Sequence, residues 1–195
     1  MFLRKIKLKL IVIVTTFLST PLFSENNNFE KTLTYLENLK DSSVSFIQDD
    51  NINLRMGKIY LGTNRVRVEY LDPEKILIVL GNDKAMYYNY ELDEDEFFDP
   101  KDTSAWFFYE IFNNPIFFVD AKFTSKENNL TIEKTGSSNE NNYHLKILFE
   151  TNPMVLRKIL LTLNEEELIL SLFDHKENIT YDKNFFKLIN PTFFN

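Results

Sequence analysis

Residues 56–90 read MGKIYLGTNRVRVEYLDPEKILIVLGNDKAMYYNY, and the fold turns on this stretch. It divides into four short runs of strand character, broken by turns that carry Gly, Asn, Asp and Pro. Arg65–Tyr70 alternates strictly, with Arg65, Arg67 and Glu69 on one side and Val66, Val68 and Tyr70 on the other. A period of two marks a strand with one wet and one apolar face. Ile76–Leu80 is apolar at every position, as expected of a strand covered on both faces. Gly81-Asn82-Asp83 then forms a hairpin turn into the Tyr-rich run Lys84–Tyr90. Such a meander needs a cover for its apolar face, and the nature of that cover decides the function.

Toward the N-terminus, Ser43–Gln48 sets Val44, Phe46 and Gln48 against Ser45 and Ile47, which predicts a preceding strand, and Asp49–Asn53 is a polar turn. Phe29, Leu33, Leu36 and Leu39 recur at helical spacing behind the capping residues Asn26–Asn28. This spacing predicts an amphipathic helix over 29–40 that packs on a sheet. Residues 1–24 are not expected to belong to the fold. Arg4, Lys5, Lys7 and Lys9 precede the apolar run Leu10–Leu18 and a small-residue region ending at Ser24. That is the pattern of a secretory signal peptide cleaved after Ser24, and the apolar run is too short for a spanning helix of about 20 residues. An uncleaved anchor is the alternative. A single domain is then expected over 25–195. Loss of four cations moves the formal charge from −7 to −11, which disfavours nucleic acid or an anionic membrane surface as partner.

Toward the C-terminus, Glu91–Glu96 is a dense acidic run without the alternation and central Gly of a calcium loop, so a solvated turn is expected. Thr103-Ser104 can cap a helix holding Trp106, Phe107, Phe108, Tyr109, Ile111 and Phe112, which Asn113-Asn114-Pro115 stops. A helix apolar nearly all round must be covered on most sides. Two roles suit it, a buried core helix or a lid whose inner face meets a greasy ligand. Strand patterns resume at Lys122–Thr124, Leu130–Glu133, Tyr143–Phe149, Leu156–Leu163, Leu168–Phe173 and Ile179–Tyr181, with a short final strand expected within Phe185–Phe194. Many short strands joined by short turns predict a mainly β, antiparallel up-and-down meander of the sandwich or barrel kind, with one helix ahead of the strands and one inserted midway.

The residues permit little chemistry. The chain has no Cys, which excludes disulfides, thiol nucleophiles, Cys-based metal sites and direct lipid attachment. Its two His, His144 in an expected strand and His175 in an expected turn, have no partner at metal-ligand spacing. Four Gly in the whole chain leave no phosphate-binding loop. A pair of catalytic carboxylates is the one enzymatic option left open, and a non-enzymatic role without cofactor or metal is expected.

The order of elements resembles the outer-membrane lipoprotein carrier family, LolA. The likeness rests on a helix, Phe46-Ile47-Gln48, Gly57-Lys58-Ile59, Arg65–Tyr70, Asp72-Pro73 and the Ile76–Gly81 hairpin, within residues 29–90. It departs from the family at Leu61-Gly62-Thr63, where the family carries Lys-Arg-Pro with an Arg that ties the lid closed. It departs again at Val66 and Val68, which replace inward aromatic residues. The resemblance implies a single unclosed, strongly curled antiparallel sheet, a half-barrel, with a helical lid over an apolar cavity. It implies a monomeric periplasmic carrier that takes acyl chains of lipoproteins from an inner-membrane ABC-type transporter to an outer-membrane acceptor. Another lipid- or glycolipid-binding or envelope-stress-sensing protein on the same fold is the alternative. The expected cavity residues are Phe46, Val66, Val68 and Tyr70 on the sheet and Trp106, Phe107, Phe108, Ile111 and Phe112 on the lid. Arg65 and Arg67 are the candidates to replace the missing lid-closing Arg.

Overall fold

In the computed structural model, which describes residues 22–138 and 141–194, the alternating and apolar runs of the opening stretch become consecutive antiparallel strands. Helix α1 (Leu22–Asn38) leads to β1 (Ser42–Asp49), β2 (Leu54–Gly62), β3 (Arg65–Asp72), β4 (Ile76–Leu80), β5 (Ala85–Asn89) and β6 (Glu94–Phe98). Helix α2 (Ala105–Asn113) follows, then β7 (Lys122–Lys126), β8 (Asn129–Ser138), β9 (Asn141–Thr151), β10 (Met154–Leu163) and β11 (Glu166–Lys176). All eleven strands form one unclosed sheet in the order β6-β5-β4-β3-β2-β1-β11-β10-β9-β8-β7. The chain is thus an α+β fold of two meanders, joined where β1 pairs antiparallel with β11. Its two free edges, β6 and β7, flank the α2 insertion in sequence.

Alternation sorts the sheet into two faces. On one face Phe46, Ile59, Leu61, Val66, Leu80, Ile147 and Leu170 belong to a single buried cluster that also takes in both helices. On the other, Leu77, Val79, Met86 and Tyr88 form a small second cluster capped by Leu188. Ile76–Leu80 is therefore covered on both sides, as its composition requires.

The two helices share the larger apolar face. Phe29 of α1 meets Phe123 of β7 edge-on at 5.8 Å, and Tyr35 meets Phe149 of β9 at 5.6 Å. The Tyr35 hydroxyl also accepts a hydrogen bond from the Leu156 amide at 3.0 Å, beside a bulge in β10. Helix α1 begins seven residues before the predicted start at Phe29 and stops two residues earlier than predicted, close to Asp41, whose φ of 59° is left-handed. The expected signal peptide, residues 1–24, lies outside the described residues apart from Leu22–Ser24. No helix among the described residues is long and apolar enough to cross a membrane.

Three expectations are corrected. The acidic run is not wholly a turn, because Glu94–Phe98 pairs with β5 and keeps its carboxylates exposed on the free edge. Charges there are the usual protection of an unpaired strand edge. His175 lies in β11, not in a turn. Neither Ile179–Tyr181 nor Phe185–Phe194 is a strand. Residues 177–194 instead run as an irregular strap over the second face. The Ile179 amide donates to the Asp41 carbonyl at 2.7 Å, Leu188 caps the small cluster, and Asn190 Nδ2 donates to Asp95 of β6 at 3.0 Å. Aromatic rings without a period can pack on a sheet as well as join one, and here they do the former.

Candidate functional site

Phe46 of β1, Gly57 of β2 and Tyr70 of β3 stand in register across three neighbouring strands. Gly57 has no side chain to separate its neighbours, so the Phe46 and Tyr70 rings meet edge-on above it at 5.3 Å. The Tyr70 hydroxyl reaches on to donate to Gln48 Oε1 at 2.7 Å. Burial pushes the Tyr70 pKa up to about 12, so the hydroxyl remains a donor at neutral pH.

Phe46, Gln48 and Tyr70 help to floor an apolar cavity of about 90 Å³ between the sheet and the N-terminal turn of α2. Of the predicted residues, Phe46, Val66, Val68, Tyr70 and Phe108 line it. Trp106, Phe107, Ile111 and Phe112 do not. Phe107 is buried against Tyr143 of β9 at 4.8 Å, and Trp106 packs on Phe107 and Phe117. Ile111 and Phe112 sink into the core beside α1. The start of the helix roofs the cavity and its remainder is core. Sequence reasoning missed Gln48, Ile59, Ile78, Leu80, Leu168 and Leu170 of the sheet lining, and Ser104 and Ala105 at the start of α2. Cross-strand register would have found two of them, because Ile78 faces Val68 and Leu80 faces Val66.

The cavity lies beside a wider depression of about 810 Å³, with which it shares the lining residues Gln48, Tyr70, Ser104 and Leu168. Asp50, Arg55, Asp102 and the run Glu165-Glu166-Glu167 surround this depression. Asp50 accepts from the amides of Asn53 at 2.7 Å and Ile52 at 3.1 Å, and pairs with Arg55 at 3.3 Å. The Asn53 amide bond leads in holding its carboxyl below the ordinary range.

Neither Arg candidate ties α2 down. Odd positions of β3 face away from the cavity, so Arg67 grips the strap instead: it donates to the Phe185 carbonyl at 2.7 Å, lies 4.3 Å from that ring's centre and pairs with Glu69. Arg65 donates to the Asn64 carbonyl at 2.9 Å. A salt bridge from Lys101 to Asp83 at 2.9 Å links the turn before α2 to the β4–β5 hairpin. Gly62, which stands where the resembled family has its Arg, is occupied by the strap: a Cβ there would come within 2.6 Å of the Phe186 ring. His144 is exposed, whereas burial pushes the His175 imidazole below its usual range and its Nε2 has no partner among the described residues.

The described residues thus form a one-layer antiparallel sheet roofed by helices over an apolar cavity. No family model and no curated protein matches the chain. Among solved structures, an uncharacterized conserved protein from Thermus thermophilus shares the fold, with a TM-score of 0.55 and 9% identity over 86% of this chain and 96% of that one. MucB in complex with MucA(peri) superposes with a TM-score of 0.46 and 10% identity over 83% of this chain and 58% of that one.

Proposed function

We propose that the chain is a periplasmic, non-enzymatic carrier of the LolA kind, with a curled half-barrel sheet that takes up lipoprotein acyl chains under α2. The carrier receives them from an inner-membrane ABC-type transporter and yields them to an outer-membrane acceptor. The observation that carries this proposal is the apolar cavity itself, floored by Phe46, Val66, Val68 and Tyr70 and roofed by Phe108. Water-exposed acyl chains cost about 0.8 kcal/mol per methylene, so a carrier needs an apolar, non-directional lining. At about 90 Å³ the cavity is smaller than the roughly 150 Å³ that admits a benzene ring. On this reading the small cavity is that of a closed carrier, and loading lifts α2.

Gly62 favours a second reading. With the family's lid-closing Arg absent and its place taken by Phe186, a lipid or glycolipid binder or envelope-stress sensor on the same fold fits as well. One experiment separates them. The protein is incubated with inner-membrane vesicles that hold a labelled lipoprotein, the matched transporter and ATP. The carrier brings the label into solution as a complex. No release overturns the carrier, and free lipid in the purified protein supports the second reading.

A further inference from the structure

His175 sits where β11 breaks step with β1. Between the pairs Ser43–Lys176 and Ser45–Phe173, β1 advances two residues and β11 three. Asp174 stands in this bulge with a left-handed φ of 52°. A bulge re-aims the side chains next to it. His175 hydrogen-bonds the backbone of Leu156, itself beside the bulge in β10. The Leu156 amide is the group that the Tyr35 hydroxyl of α1 holds at 3.0 Å. Thus one imidazole reaches the residue on which α1 is anchored. Its Nε2 is sealed from solvent and has no hydrogen-bond partner among the described residues. A neutral imidazole can leave one nitrogen bare at modest cost. An imidazolium carries a proton on both nitrogens, and a buried charge without an acceptor is far more costly.

Charges around the imidazole pull both ways. Arg157 of β10, paired with Glu150 of β9, opposes a second cation, whereas Glu177 and Asp174 favour one. Asp174 also lies 4.0 Å from Lys176. Helix α1 brings the Tyr35 phenol, and β1 brings only the uncharged Ser43, Val44 and Ser45. Burial, and after it Arg157, outweigh the two carboxylates and hold the imidazole below its ordinary 6.5. We propose that His175 is an acid-sensitive latch on α1: a proton taken up at Nε2 loosens the helix from β10 and leaves the sheet in place. The folded chain binds that proton less readily than the unfolded chain does. The stability that rests on the neutral imidazole is whole above about pH 6.5 and is lost as the pH falls below it toward the lower folded value. Leu156 stays paired with Phe149 in the β9–β10 ladder, so the helix is the side that yields. The latch is independent of what the cavity binds.

The test combines a proton NMR titration of the two imidazoles with amide exchange, corrected for its intrinsic pH dependence. Exposed His144 serves as the internal reference, and the Cε1 proton of His175 should move at lower pH. Exchange within α1 should quicken over the range in which His175 titrates, by no more than about tenfold per pH unit for a single proton. Strands β2 to β5 should keep their protection. His175→Asn, whose amide can keep the bond to Leu156 but takes up no proton, should abolish the acid step. Tyr35→Phe, without the helix's own grip on Leu156, should exchange faster in α1 already at neutral pH and show a smaller step. Exchange in α1 that ignores pH, or an acid step that survives in His175→Asn, overturns the latch. Equal acceleration in α1 and in the whole sheet is global unfolding and overturns it as well. Should His175→Asn fail to fold, the parent chain decides: the midpoint of the α1 step coincides with that of the His175 imidazole, and a midpoint elsewhere assigns the step to another group.

Discussion

Gly57 owes its place to a crossing of rings. A Cβ there would stand 2.2 Å from the Glu69 carbonyl oxygen and 2.7 Å from Phe46 Cζ. The first obstacle is backbone and cannot rotate away. Gly57→Ala is therefore expected to cost about 1–3 kcal/mol, read as a lower denaturant midpoint at unchanged slope. Its partner Tyr70 supplies a pH signature. Burial raises its pKa from 10.0 to about 12, so the folded chain keeps a proton that the unfolded chain has released between those values. The stabilisation is whole below about pH 10 and is lost as pH climbs toward about 12. Tyr60 and Tyr181, each also pushed up to about 12 chiefly by burial, act in the same direction. Tyr70→Phe should cost on the order of 1 kcal/mol at neutral pH through the lost bond to Gln48. It should also make the alkaline fall in stability shallower than in the parent chain; an equally steep fall would place the titration on other groups.

At the level of elements, sequence patterns told strands from helices wherever one period ruled. Strand β3 was legible because six residues alternate without a break, and α2 because aromatic residues crowd between a Thr-Ser cap and Asn-Asn-Pro. The strap was not legible. Tyr181, Phe185, Phe186 and Leu188 look like strand residues, yet they pack on a sheet face instead of extending the ladder. The same blindness hid which half of α2 roofs the cavity, since an all-round apolar helix has no preferred face. What holds the strap is Arg67, whose side chain is only 13% exposed. Truncating it leaves Glu69 and the Phe185 carbonyl without their shared donor and the Phe185 ring without its cation. Arg67→Ala should cost about 1–3 kcal/mol and speed amide exchange within residues 177–194 more than within the strands. Uniform acceleration would mean that the guanidinium supports the sheet and not the strap.

The whole molecule is organised by a pairing that alternation could not reveal. Short turns predict which consecutive strands are neighbours, but nothing in the spacing says that the first strand meets the last. The β1–β11 ladder does so, and it places the free edges on either side of the α2 insertion. Residues 99–121 thus join β6 to β7 across the open side of the sheet, while the two meanders hold together elsewhere. Among the described residues the β1–β11 ladder, α1 through Phe29 on Phe123 and Tyr35 on Phe149, and the strap from Asp41 to Asp95 cross between them. A protease site engineered at the exposed Val119-Asp120 bond would cut the insertion and none of these. The nicked protein should elute as the intact chain does in native buffer and separate into two pieces only in denaturant. The cut should also free the C-terminal anchor of α2, so amide exchange within Ala105–Asn113 should rise while β1 and β11 keep their protection. Separation in native buffer would contradict the ladder and the strap as the joints of the molecule. Unchanged exchange in α2 would mean that core packing of Phe107, Ile111 and Phe112 alone holds the helix down, and that the roof cannot lift as loading requires.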